Sequence, residues 1–328
     1  MRNILISIEQ FAPIKNDILQ KCASLGLVLH QNNSGRSLNF VEDNALFLNA
    51  DYVIAGLETF DAEFFARCQR LKCISRVGVG TDNIDLEAAR AAKVKICITS
   101  DHPSVAVAEL CVGNMISLLR HTHTMSEALK AGHWQQIQGK ELRNCRVGVV
   151  GLGSIGKELV RRLRPFGCKI VAASRSWNSS FAESMGVERV SLETIFQTCN
   201  IVSIHLPLEE DTRGIISGGL IRSMPDKALI INTSRAGVMD NSAVVEALIS
   251  GALGGVAIDV FDEEPCVKPY DNIRNAILSP HIGSHTRETR KAMEKSALDN
   301  IIEVDRLLQL DDQVTKDLAN HPFRDISI

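Results

Sequence analysis

The stretch VGVVGLGSIGKELVRRL, residues 147–163, decides the fold. An apolar run that reads as a buried strand stops at Gly151. Gly153 and Gly156 complete a G-x-G-x-x-G pattern as a helical pattern opens. In such a turn the first glycine permits the tight reversal, the second lets backbone approach a pyrophosphate, and the third lets helix pack on strand. Ser154 and Ile155 fall in the first helical turn, where free N–H groups and the positive helix end favour a phosphate. A lone fingerprint of this kind is weak evidence. Here it stands in a strand–turn–helix context with further α/β units on either side, which points to a dinucleotide site.

Outward from this stretch, short apolar runs alternate with helical patterns along almost the whole chain, the signature of parallel sheets. Before it, the strand candidates are NILIS, LVLH, DYVIAGL, CISRV and KICIT, with helical spacing in FAPIKNDILQKCASLG, DAEFFARCQ and LEAARAAK. After it come KIVAAS, NIVSIHLP, ALIINT, GVAIDV and AILS. Residues 104–131 read as one long helix of roughly 40 Å at the usual rise. Its first half is apolar nearly all round and is expected to be buried. Residues 286–310 read as a last helix.

The composition bounds the function classes. A chain of 328 residues suits two domains. With 45% hydrophobic and 23% charged residues and a net charge of −3, it is an ordinary globular protein. It lacks the basic footprint of a nucleic-acid partner. The opening MRNILISI stops at Glu9, too short for a leader or a membrane span, so a cytoplasmic protein with no membrane partner is expected. The 9 cysteines include no C-x-x-C pair and sit in apolar segments, as small buried hydrophobes do. His121 and His123 lack an acid or thiol at ligand spacing, so no metal is expected.

The second strand after the fingerprint ends in Ser174, Arg175 and Ser176. An NAD-binding domain of this type carries an acid there for the ribose 2′-hydroxyl, whereas an arginine can pair with a 2′-phosphate. NADP(H) is therefore favoured over NAD(H), which remains the alternative.

RVGVGTDNIDLEAA (76–89), PSVAVAEL (103–110), the fingerprint, NIVSIHLPLEEDTRGII (200–216), INTSRAGVMD (231–240), VAIDVFDEEP (256–265) and LSPHIGSHT (278–286) follow one another in order. With these segments the chain resembles the D-isomer-specific 2-hydroxyacid dehydrogenases over nearly its whole length. The resemblance implies two doubly wound parallel-sheet α/β domains. A Rossmann NAD(P)-binding domain, 101–286, is inserted in a flavodoxin-like substrate domain, 1–100 plus 287–328. It implies Arg235, Glu264 and His281 as catalytic residues, and Val77, Gly78, Val79 and Gly80 as the substrate-carboxylate loop. His205, Leu206 and Pro207 lie beside the cofactor. Val107, Thr212, Thr233, Asp259 and Gly283 are implied as cofactor contacts, with Asp259 near the nicotinamide end. A homodimer built on the helix at 104–131 is implied too. Asp262 and Glu263 have no assigned task and read as a solvated turn.

These residue types suit the reduction of a 2-keto acid. NAD(P)H supplies a hydride to the carbonyl carbon. His281 supplies the proton, and a carboxylate beside an imidazole favours its charged form, which is the task of Glu264. Arg235 offers a planar fork to the substrate carboxylate and polarises the carbonyl. Trp134 with GKEL (139–142) resembles the 3-phosphoglycerate dehydrogenase branch, yet Leu57, Glu58 and Thr59 stand where that branch often has an arginine. Ser174–Ser176 resembles the glyoxylate and hydroxypyruvate reductases. A reading of another class, a nucleotide-sensing corepressor-like binding protein, stays open at this point.

Overall fold

The computed structural model describes residues 1–310 except 10, 12–15, 100, 101, 267 and 272. The chain forms two compact units, one from Met1–His102 and the chain from Arg287 onward, the other from Pro103–Thr286.

The first unit is a parallel sheet of β1 (Arg2–Ile6), β2 (Leu27–Gln31), β3 (Tyr52–Ala55), β4 (Cys73–Arg76) and β5 (Lys95–Cys97), in the order β2-β1-β3-β4-β5. Every residue of β3 and β4 is buried, as strands covered on both faces require. Side-chain caps set the helix starts between them. Asp61 accepts from Phe64 N–H ahead of Ala62–Arg67, and Asp85 accepts from Ala88 N–H ahead of Leu86–Ala91. The last helix, Arg287–Gln309, packs against β3 and β4. On this helix the buried Asp305 accepts a 2.7 Å hydrogen bond from the Tyr52 hydroxyl of β3 and forms an ion pair with Arg2 of β1.

The second unit is a parallel sheet of β6 (Arg146–Val150), β7 (Lys169–Ala173), β8 (Glu188–Arg189), β9 (Ile201–Ile204), β10 (Ala228–Asn232), β11 (Leu253–Ile258) and β12 (Ala276–Leu278). Its order is β12-β11-β10-β9-β6-β7-β8. The order reverses between β6 and β9, and ligands of open α/β sheets bind beyond the carboxyl ends of strands at such a point. The two-residue strand β8 has no apolar run and is not legible in the sequence.

The long helix expected over 104–131 is two helices, Ser104–Arg120 and Thr122–Lys130. His121 between them takes the left-handed conformation at φ 53°, and its N–H returns to Leu118 O at 3.2 Å. A left-handed residue ends a helix, and the Ser117 and Thr122 hydroxyls share a 2.7 Å hydrogen bond across the break. Burial of the first half all round is corrected as well: Val105 and Ile116 are 44% and 37% exposed on one stripe. Among the described residues no helix is long and apolar enough to cross a membrane.

If Asp305 ties the C-terminal helix to β1 and β3, Tyr52→Phe removes one donor from a buried carboxylate. The expected cost is about 1–3 kcal/mol, read as a lower urea midpoint at unchanged slope. An unaltered midpoint contradicts the tie.

Candidate functional site

The fingerprint glycines are where the fold requires them. Gly151 sits at φ 95°, and a Cβ there would stand 2.4 Å from His205 O. A Cβ on Gly156 would stand 2.2 Å from Gly151 O. Gly153 has nothing within 4 Å of its Cβ position, so that side of the turn is open. Gly153 caps the helix Ser154–Leu163 without a side-chain hydrogen bond. The first-turn N–H groups, those of Ser154 and Ile155 included, are left for a ligand. An open cradle of uncapped donors fits a pyrophosphate.

A cavity of about 740 Å³ extends from this cradle. It brings together Gly151, Gly153, Ser174, Arg175, Ser176, His205, Leu206, Pro207 and Thr212. Thr212 serves the loop: its hydroxyl donates to Pro207 O at 2.7 Å and accepts from Glu209 N–H at 2.8 Å. Ser174 Oγ donates to Ser176 O at 2.9 Å. Arg175 is 73% exposed and paired with carboxylates, Asp211 at 2.5 Å and Glu209 at 3.3 Å. Arg189 of β8 lines the same cavity, a base the sequence offers no signal for because β8 itself is hidden. The His205 ring shares a 2.9 Å hydrogen bond with Ser203 Oγ, and burial pushes its pKa from 6.5 down to about 4.

The remaining expected cofactor positions form a second group, at the carboxyl ends of β10, β11 and β12. Asp259 is 1% exposed and is turned onto its own protein. It accepts from Ser279 Oγ at 2.5 Å, Ile282 N–H at 2.9 Å and Gly283 N–H at 2.7 Å. Burial raises its carboxyl above the ordinary value against the pull of those donors. A Cβ on Gly283 would meet Asp259 Oδ2 at 3.0 Å and Val107 at 3.3 Å, so these three residues are in close contact. Thr233 Oγ1 lies 3.3 Å from Cys111 Sγ.

The turn that Asp259 holds presents His281, at φ 52° with its N–H on Ser279 O. Its Nδ1 lies 2.9 Å and 3.1 Å from the two oxygens of Glu264. Burial alone would raise the Glu264 carboxyl. The His281 hydrogen bond and charge, the Phe261 N–H and the Arg235 charge outweigh burial and hold it below its ordinary value. Arg235 is therefore within electrostatic reach of the pair. Its loop is set by Asn232, fully buried, whose side chain accepts from Ser234 N–H and donates to Arg235 O at 3.0 Å each. Asn232 is a positioning residue signalled only by the Asn-x-Ser turn pattern. Asp262 accepts from Asn241 Nδ2 at 3.0 Å in an exposed turn, and Glu263 is exposed beside it.

In the first unit, Val77–Gly80 follows β4. The Val77 N–H is spent on Ala55 O and the Gly78 N–H on Thr99 Oγ1, both at 2.8 Å. Among the described residues the N–H groups of Val79 and Gly80 have no such acceptor, so these two can serve an anion. Gly78 lies against the buried Arg76, whose Nη1 donates to Val77 O at 3.0 Å. Glu58 is buried, accepts from Gly56 N–H, and has its carboxyl raised by burial.

The chain matches the family model described as D-isomer specific 2-hydroxyacid dehydrogenase, NAD binding domain, over residues 112–283. It is 36% identical over 248 residues to hydroxypyruvate reductase of Thermotoga maritima, covering 73% of this chain and 79% of that protein. It is 38% identical over 233 residues to D-3-phosphoglycerate dehydrogenase of Methanocaldococcus jannaschii, covering 69% of this chain but 44% of that protein. A crystal structure of a glyoxylate reductase from Paecilomyes thermophila superposes with TM-score 0.81 at 29% identity, covering 93% of this chain and 95% of that one.

The depressed His205 gives a pH test. The unfolded chain takes up this proton near pH 6.5, whereas the folded chain takes it up only near 4. Between those values the unfolded state binds more protons, so stability falls as pH drops through the window. His205→Gln is expected to flatten that part of the curve measured by urea denaturation. An unchanged slope would show that His205 does not carry it.

Proposed function

The chain belongs to the D-isomer-specific 2-hydroxyacid dehydrogenases, NAD(P)-dependent oxidoreductases acting on CH–OH groups, and within that family we propose that it reduces small 2-keto acids of the glyoxylate and hydroxypyruvate kind. The observation that carries the chemistry is the His281–Glu264 pair beside Arg235. The nicotinamide, when bound, supplies the hydride or accepts it. His281 holds the proton on Nε2 for the carbonyl oxygen, because Nδ1 is turned to Glu264. In oxidation the same nitrogen takes the proton back. Arg235 pairs with the substrate carboxylate and stabilises charge developing on the carbonyl oxygen. In the first unit, the open amides of Val79 and Gly80 are donors suited to an anion.

The choice of a small, unphosphorylated substrate draws on the sequence, which has Leu57, Glu58 and Thr59 where the phosphoglycerate branch often has an arginine. The similarity to hydroxypyruvate reductase over most of that protein's length supports it too. NADP(H) is the favoured cofactor, supported by Ser174-Arg175-Ser176 where an acid would serve NAD. A second reading, oxidation of 3-phosphoglycerate with NAD, draws on the 38% identical relative and on Trp134 with GKEL.

The exposed stripe of Val105, Glu109, Gly113 and Ile116 on the helix Ser104–Arg120, with two large apolar side chains, supports a homodimer. Light scattering is expected to give twice the chain mass of 36.0 kDa; a monomer at micromolar concentration overturns that.

Absorbance loss of NADPH with glyoxylate and hydroxypyruvate is the expected activity. Turnover only with 3-phosphoglycerate and NAD would replace the first reading by the second. Tight nucleotide binding without turnover of any keto acid would favour a nucleotide-sensing binding protein. His281→Ala is expected to lower kcat by about 10²–10⁴-fold while nucleotide still binds; retained turnover rules out the proton role.

A further inference from the structure

The Arg175 side chain does not stand free at the adenosine end of the cavity. It reaches across from the end of β7 to the loop after β9, where Asp211 and Glu209 take its two terminal nitrogens at 2.5 Å and 3.3 Å. That loop is fixed independently of Arg175. The Thr212 hydroxyl bridges Pro207 O and Glu209 N–H, and the N–H of Arg213 donates to Glu209 O at 3.0 Å. The loop backbone that carries the two carboxylates is thus held in place, and Asp211 lines the far wall of the cavity.

From this arrangement we infer that Asp211 and Glu209 are specificity residues, which compete with a cofactor 2′-phosphate for Arg175 and weaken the preference for NADP(H). The inference rests on the reading of Arg175 as the phosphate partner. A 2′-phosphate that takes Arg175 must share the guanidinium with these carboxylates or displace them, and it must then sit near their charge. A 2′-hydroxyl meets no such repulsion and is a hydrogen-bond donor of the kind the Asp211 carboxylate in the cavity wall accepts. Arg189 does not replace Arg175. Its guanidinium stacks 5.2 Å above the Trp177 ring and donates to Ser174 O at 3.4 Å, so its direction is set by contacts of its own. The site is consequently built to accept both nucleotides, with the acidic pair setting the ratio between them.

The test is the ratio of dissociation constants for NADH and NADPH, measured by fluorescence titration on the full chain at low and at moderate salt. Asp211→Asn, alone and with Glu209→Gln, is expected to move the ratio towards NADPH by about fivefold, the scale of an exposed ion pair. The shift should shrink as salt screens the charges. In an Arg175→Ala background the same substitutions should move the ratio less, since the competition is gone. If Asp211→Asn leaves the ratio where it was while Arg175→Ala weakens NADPH, the competition is wrong and Arg175 still reads the phosphate. If Arg175→Ala leaves NADPH affinity intact, the reading of Arg175 fails and the inference fails with it.

Discussion

Asp259 is a carboxylate withdrawn from water at the end of β11, and the geometry of the histidine turn depends on it. A buried acid without donors is costly, so the chain must supply them. Those it supplies, Ser279 Oγ, Ile282 N–H and Gly283 N–H, flank residue 281 on both sides. Satisfying Asp259 therefore shapes the turn from 279 to 283, and the turn in that shape carries the His281 ring onto Glu264. The left-handed backbone of His281 is the local consequence: φ 52° is uncommon outside glycine and persists where the surroundings over-determine it. Gly283 is tight against this turn, because a Cβ there would press on both Asp259 and Val107.

The same logic runs through the rest of the second unit. Parallel strands end on one side of the sheet, and the loops that follow them carry the glycine cradle, the His205–Pro207 turn, the Arg235 loop and the histidine turn. Each loop is held by its own short-range bonds: Thr212 on Pro207 and Glu209, Asn232 on Ser234 and Arg235, Asp259 on 279–283. The candidate catalytic side chains are thus attached to rigid elements at short range, which is what positioning catalysis needs. Fold alone does not give the reaction; the proposed chemistry rests on the histidine–carboxylate pair with a neighbouring guanidinium.

Much of this is legible in the chain because it is local. Gly151, Gly153 and Gly156 mark the turn by their spacing, and apolar runs such as IVSI and ALIIN mark buried parallel strands. What is not legible is tertiary. The bond from Arg175 to Asp211 joins residues far apart in sequence, and nothing near Arg175 signals its partners. Residue pattern alone leaves Asp259 as one acid among several in VAIDVFDEEP; the resemblance separates it from Asp262 and Glu263, and its burial shows why it differs from those two exposed acids. The strand Glu188–Arg189 is made by pairing with β7, not by any apolar pattern. The helix break at His121 is a matter of one backbone angle, which helical periodicity on either side conceals. Of the four residues in the Val77–Gly80 loop, partners at Ala55 and Thr99 decide which amides remain open to an anion.

His281 and Glu264 are bonded so as to act as a unit, and the chemistry proposed for the site turns on that coupling. A double-mutant cycle on kcat tests it most directly, using Glu264→Gln, His281→Ala and both together with the best keto acid found. If the carboxylate acts through the imidazole, Glu264→Gln lowers kcat by about 10–100-fold, and adding it to His281→Ala lowers kcat no further. If the two losses multiply, Glu264 serves the reaction by a route that does not pass through His281, and the two residues are not a unit.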